Sequence, residues 1–188
     1  CVWNCPAHAI DFPEQTCGEW FLSDTRHGPM VHARLSTGAD NSGKLVSLVR
    51  EQARQLAQRE QRNLVLVDGP HGTGCPVIAA LTGAHGVLVV TEPTVSGAHD
   101  LARVLELTRH FKIPAAVCIN KWDIHPDQAD RIETAARTAG ATPVGRVRYD
   151  LSATAAQRQG LAIVEAGTCP LADDIHTVWH NWMRKVNP

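Results

Sequence analysis

Leu64, Val65, Leu66 and Val67 lead straight into Asp68, and the loop Gly69-Pro70-His71-Gly72-Thr73-Gly74-Cys75-Pro76 follows at once. An apolar strand that ends in a carboxylate and opens into a glycine loop can hold a magnesium ion beside a γ-phosphate. The same residues also read as a buried strand closing in an ordinary turn, because Asp-Gly-Pro is common turn chemistry. A second spacing of interest is Asn120-Lys121-Trp122-Asp123, directly after the apolar residues 115–119. At a strand end, such an Asn amide can bridge neighbouring loops and a purine, and the carboxylate can accept the two N–H groups of guanine. The plain alternative is a polar strand-to-helix loop.

Cys1-Val-Trp-Asn-Cys5-Pro6 has the spacing of the tail of a bacterial [4Fe–4S] run, C-x2-C-x2-C-x3-C-P, with thiolates as iron ligands. Ala7, Ala9 and Ile10 continue in the manner of a ferredoxin module. The first two cysteines of the run would precede residue 1, and two thiolates cannot hold a cubane stably. Two unrelated free thiols are the alternative. Cys75 opens a helix, where a thiol has a lowered pKa and can ligate metal or sense redox state; a packed small residue is the other reading. His176 and His180 have zinc spacing but no third ligand, so a surface pair is expected. Cys118 lies within an apolar run and reads as core. The stretch Gly38 to Leu45 nearly fits G-x4-G-K-[ST], but Leu45 stands where a magnesium-binding hydroxyl belongs, so it reads as a capped helix start, with Asn41 or Ser42 as the cap.

These residues need elements to place them. The chain has 188 residues, 44% of them hydrophobic, and a net charge of −1, which suits one α/β domain with a real core and a small appendage. No basic footprint for nucleic acid is present, and the apolar runs are too short for a membrane span. Six cysteines without a regular framework suit a reducing compartment, so a cytoplasmic protein is expected. The chain starts without Met, inside a motif, and reads as a fragment. Residues 1–29 look loop-rich, the remnant of a ferredoxin-like module, and residues 30–188 alternate strand and helix. Strands are expected over 30–35, 63–68, 86–91, 115–120 and 143–148. Helices are expected over 43–59, 97–112, 126–140, 153–159 and 171–185. The last helix should bury Leu171, Ile175, Val178, Trp179 and Trp182. This alternation implies a parallel sheet with helices on both faces and motif loops gathered at the strands' carboxyl ends.

In their order, Asp68-Gly-Pro-His-Gly, Cys75-Pro76, Thr91-Glu-Pro-Thr-Val-Ser-Gly97, Cys118-Ile-Asn120-Lys121 and Tyr149-Asp150 resemble the MinD/Mrp (ParA-like) P-loop ATPases with an inserted ferredoxin domain. The resemblance covers nearly the whole chain. It implies an ATP-binding iron–sulfur protein with Mg²⁺ and a [4Fe–4S] cluster, Mg-ATP held between two protomers of a homodimer, and hydrolysis coupled to electron transfer or metal-cluster handling with a protein partner. Asp68 would be the catalytic carboxylate that holds Mg²⁺ through water, with Gly69, Pro70 and Gly72 in a switch over residues 69–74. Asn120 and Lys121 would lie at the base, and Tyr149 and Asp150 would flank it. Cys1, Cys5 and Cys75 are the candidate metal ligands. Two positions depart from the pattern: His71 and Arg148 stand where proline is common. The Walker A lysine, its hydroxyl neighbour and the water-positioning Asp do not occur here, so this chain alone is expected to hydrolyse ATP weakly or not at all. The other readings are a GTP-dependent metallochaperone, against which D-x-x-G is broken by His71, and a non-catalytic ferredoxin-linked binding module.

Overall fold

The computed structural model describes residues 2–7, 9–11, 13, 16–39 and 43–186. The chain divides into two units, Cys1–Gly69 and Pro70–Pro188. In the first, β1 (Gly18–Thr25) and β2 (Gly28–Leu35) pair as an antiparallel hairpin. Its turn is tied by Thr25 Oγ1, which donates to the Gly28 carbonyl at 2.6 Å. β1 was not anticipated. Its residues Trp20, Phe21 and Leu22 are consecutive and apolar, which breaks the alternation that marks a half-buried strand. The expected domain boundary at residues 29 and 30 falls inside β2. α1 (Lys44–Arg59) lies against β2. The expected caps Asn41 and Ser42 lie outside the described residues; Gly43 opens the helix with φ 77°. α1 has the expected amphipathic spacing, yet none of its residues is buried.

One expected strand is corrected. Residues 63–68 form no strand, and Leu64, Val65, Leu66 and Val67 are 50, 40, 75 and 40% exposed. An apolar run of alternating leucine and valine is suited to a strand, but a strand exists only against a hydrogen-bonding partner. Among the described residues none pairs with this run.

The second unit is a three-stranded parallel sheet in the order β3-β4-β5, with β3 Val87–Thr91, β4 Ala115–Asn120 and β5 Thr142–Val147. Around it run α2 (Cys75–Leu81), α3 (Val95–His110), α4 (Pro126–Thr138), α5 (Ser152–Arg158) and α6 (Pro170–Val186). β4 shows why both faces are covered. Its alternate residues Val117 and Ile119 join Leu101 and Leu105 of α3 and Ala129, Ile132 and Ala136 of α4. Ala116 and Cys118 point the other way, into a cluster with Val144 of β5 and Leu171, Val178 and Trp182 of α6. Side chains of a strand alternate between faces, so one central strand feeds two cores. α6 approaches closely because Gly145, at φ 155°, leaves room that a Cβ would take from Val178 at 2.8 Å. The last helix is corrected in two details: Ile175 is only half-buried and Trp179 is 39% exposed, because the buried stripe runs through Leu171, Ala172, Val178 and Trp182. Among the described residues no helix is long and apolar enough to cross a membrane.

Candidate functional site

The carboxyl ends of β3, β4 and β5 bring three loops together in the second unit. After β3, Thr94 caps α3 by accepting from the Gly97 amide at 2.9 Å, and Thr91 Oγ1 donates to the Gly97 carbonyl at 3.0 Å. A Cβ on Gly97 would run into the Glu92 carbonyl and the hydroxyls of Thr91 and Thr94, so the tight loop requires glycine there. It also starts α3 two residues earlier than expected.

At the end of β4, Asn120 is half-buried and registers with Val147 of β5. Lys121 follows in the left-handed region at φ 53°, a conformation that costs about 1–2 kcal/mol for a residue with a Cβ. Its ammonium reaches back to the β3 loop and pairs with Glu92 Oε1 at 2.7 Å. That partner raises the Lys121 pKa. The pair is exposed, so its role is to tie two loops rather than to stabilise the fold strongly. Residues Trp122–Ile124 make a short 3₁₀ turn, and His125 caps α4 with its ring accepting from the Gln128 amide at 3.3 Å. Arg146 of β5 fixes this segment from below. Its guanidinium lies 5.7 Å from the centre of the Trp122 ring, meets Asp130 at 2.8 Å, and donates from Nε to Glu133 at 2.8 Å. Burial raises the pKa of Glu133, but its bonds to Arg137 and Arg146 outweigh that and leave it lowered.

After β5, Arg148, Tyr149 and Asp150 are each held differently. Arg148 forms a two-pronged pair with Asp174 of α6, at 2.6 Å from Nε and 2.8 Å from Nη2, and its own amide donates to the same carboxylate at 3.1 Å. The Tyr149 amide donates to Asp123 Oδ1 at 2.8 Å, while Tyr149 itself stays 52% exposed. Asp150 accepts from the Ser152 amide at 2.8 Å at the start of α5, and that bond lowers its pKa. Asn120, Lys121, Tyr149 and Asp150 are therefore brought together as loops of one rim. Asp123, weighed as a guanine acceptor, has one oxygen engaged by the Tyr149 amide. The sequence offered Glu92 within a motif and Arg148 as a departure from the resembling pattern but gave no partner for either, and it gave no sign of Asp174. Their partners lie 26 or more residues away in the chain, and no local spacing announces them.

Asp68 and Gly69 close the first unit, exposed, and Pro70 and Gly72 open the second. Gly72 has φ 88°, and Thr73 accepts from Arg103 of α3 at 2.8 Å, so the loop's far end is anchored to a helix. Cys75 is exposed at the first position of α2. Cys1 lies outside the described residues, and Cys5 Sγ accepts from the Ala9 amide at 3.4 Å. Among the described residues no three His, Cys, Asp or Glu side chains gather to hold a metal, the pair His176 and His180 included. A cubane takes four thiolates, so the described residues do not fit a [4Fe–4S] cluster.

No protein-family model matches the chain. Two relatives from Methanocaldococcus jannaschii, the uncharacterized proteins MJ0578 and MJ0579, are similar in sequence. The first is 30% identical over 93 residues, 50% of this chain and 32% of the relative. The second is 26% identical over 115 residues, 61% of this chain and 41% of the relative. The chain thus spans about a third to two-fifths of their length. Among solved structures, the MinD cell division protein of Aquifex aeolicus is 20% identical with a TM-score of 0.65, covering 89% of this chain and 70% of that one. The MinC:MinD complex from the same organism gives 21% and 0.63, covering 89% and 68%. The cell division ATPase MinD of Pyrococcus furiosus gives 14% and 0.61, covering 78% and 60%. The parallel sheet between two layers of helices, with its loops meeting at the carboxyl rim, is the fold of the MinD-type P-loop NTPases.

Proposed function

We propose that the chain is part of an ATP-dependent switch protein, in which Mg-ATP is held between two copies and hydrolysed to reset a loop. Asn120 and the Tyr149-Asp150 loop lie on the base side. Asp68 holds Mg²⁺ through water, and residues 69–74 respond to the γ-phosphate. Catalysis of this kind is positioning and charge neutralisation, with little covalent work for the protein. The observation that carries the reading is the meeting of the β3, β4 and β5 loops through Lys121–Glu92 and Asp123–Tyr149, on a MinD-type fold. Adenine is favoured over guanine because Asp123 already spends one oxygen on the Tyr149 amide.

The spacing of Cys1 and Cys5 extends the proposal to residues 1–29 as the remnant of an iron–sulfur module. On that extension, hydrolysis serves electron transfer or metal-cluster handling with a redox or cluster-carrying protein partner.

The test uses the longest natural protein that contains this chain. ATP should compete off a fluorescent ATP analogue more tightly than GTP does. Asp68→Asn should cut phosphate release by roughly 100-fold or more, the scale of losing one electrostatic element of a phosphoryl-transfer site. Undiminished release by that variant excludes Asp68 as the magnesium carboxylate, and tighter GTP excludes the adenine assignment.

A further inference from the structure

The loop after β5 must be rigid if it is to flank a base, yet it is irregular and half-exposed. Two successive amides of this loop end on carboxylates from two other elements. The Arg148 amide goes to Asp174 of α6, and the Tyr149 amide goes to Asp123 of the β4–α4 loop. Asp174 does more than accept an amide. Both its oxygens are engaged by the Arg148 guanidinium, in the planar fork that only arginine offers a carboxylate. The Asp174 side chain is 17% exposed and the Arg148 side chain 42%, so the acid is the better shielded anchor and the arginine the arm. α6 is in turn fixed on the sheet by Leu171, Val178 and Trp182. A chain of contacts therefore runs from a packed helix, through Asp174 and Arg148, to the backbone of Tyr149.

We propose that Asp174 and Arg148 are positioning residues for base recognition: the pair sets the Tyr149-Asp150 loop against the purine without itself touching the nucleotide. The inference rests on the nucleotide reading above and deepens it. The backbone at Arg148 is held from outside, by a carboxylate that accepts its amide N–H.

The two parts of a nucleoside triphosphate separate this role from a general structural one. The clamp acts on the base side, so its loss should weaken ATP and leave binding of the bare triphosphate chain alone. In the full-length protein, titration with ATP and with Mg-tripolyphosphate should show Asp174→Ala weakening ATP roughly tenfold, the scale of one lost charge-assisted fork, with tripolyphosphate affinity unchanged. Arg148→Lys keeps the amide bond and a charge but loses the fork, and should fall between Asp174→Ala and the parent. Arg148→Ala gives a second route should Asp174→Ala fold poorly, since Arg148 is more exposed; it too should weaken ATP with no effect on tripolyphosphate. Equal weakening of both probes, or of neither, in a folded variant overturns the clamp while parent binding of ATP leaves the nucleotide reading standing. A parent protein that binds tripolyphosphate but gains nothing from the base overturns both.

Discussion

Cys118 shows how far position decides the chemistry of a residue. It is 2% exposed in the centre of β4, and burial, aided by the charge of Asp174, pushes its thiol up to about 11. Near neutrality only on the order of one thiol in 10⁴ is then ionised, and the thiolate is the reactive form. Iodoacetamide should therefore label Cys17 and Cys75, which are exposed, in the native chain, and Cys118 only after unfolding. Intact mass before and after urea reads this directly, and native labelling of Cys118 at the rate of Cys75 would show that β4 opens readily. Asp174 is the opposite case. Its bonds to Arg148 hold its carboxyl below the ordinary Asp value of 3.8. The folded value is the lower one, so the pair's contribution is complete above 3.8 and is lost only as pH falls through the folded value. The Asp174–Arg148 pair is thus insensitive to pH near neutrality. Asn120 and Lys121 could be singled out in the sequence because they close and follow the apolar run of β4, whereas Tyr149, which follows the charged Arg148, was named only through the resemblance. Asp174 could not be singled out, because a residue in the first turns of a distant helix gives no sign of its partner.

Elements differ in how plainly they were written. β4 could be read to the residue, since a strand buried on both faces is one continuous apolar run between polar ends. α3 was legible from its spacing but not from its Thr94 cap, and α4 from the Pro126 turn that opens it and the Gly140 that stops it. β1 was hidden because it lies in a two-stranded hairpin that buries neither face fully. α1 carried the right pattern and, among the described residues, lies chiefly against β2 with none of its residues fully buried, so periodicity gave the helix but not the depth of its packing. The contrast has a measurable consequence. Ile132 of α4 is 2% exposed among Leu101, Leu105, Val117 and Ile119, so Ile132→Ala should cost about 2–5 kcal/mol. Leu48 of α1 is 40% exposed, and Leu48→Ala should cost less than about 1 kcal/mol. Urea unfolding of the two variants ranks the helices; equal losses would mean that α1 is covered by something more than β2.

At the scale of the whole molecule, one apolar run is left open. Leu64, Val65, Leu66 and Val67 are each at least 40% exposed, with no strand pairing among the described residues. Parallel sheets cover such runs on both faces, and short β-branched segments left open recruit other chains. β3 offers a matching weakness. Its residues Val87–Thr91 contain neither proline nor a charge, and among the described residues it pairs on one side only, with β4. The 188-residue chain should therefore self-associate as its concentration rises, and light scattering should detect this. Leu66, at 75% exposure, has little native contact to lose, so Leu66→Lys should change stability by no more than about 0.5 kcal/mol while suppressing the scattering. A charge in the middle of the run breaks its match to any neighbouring edge, whether that edge belongs to a second copy or to a longer parent protein. The discriminating measurement is the same substitution in both settings: harmless and solubilising here, but destabilising by well over 1 kcal/mol wherever the run is a buried strand. Scattering that Leu66→Lys leaves unchanged would locate the self-association elsewhere and free the approach to Asp68 from that role.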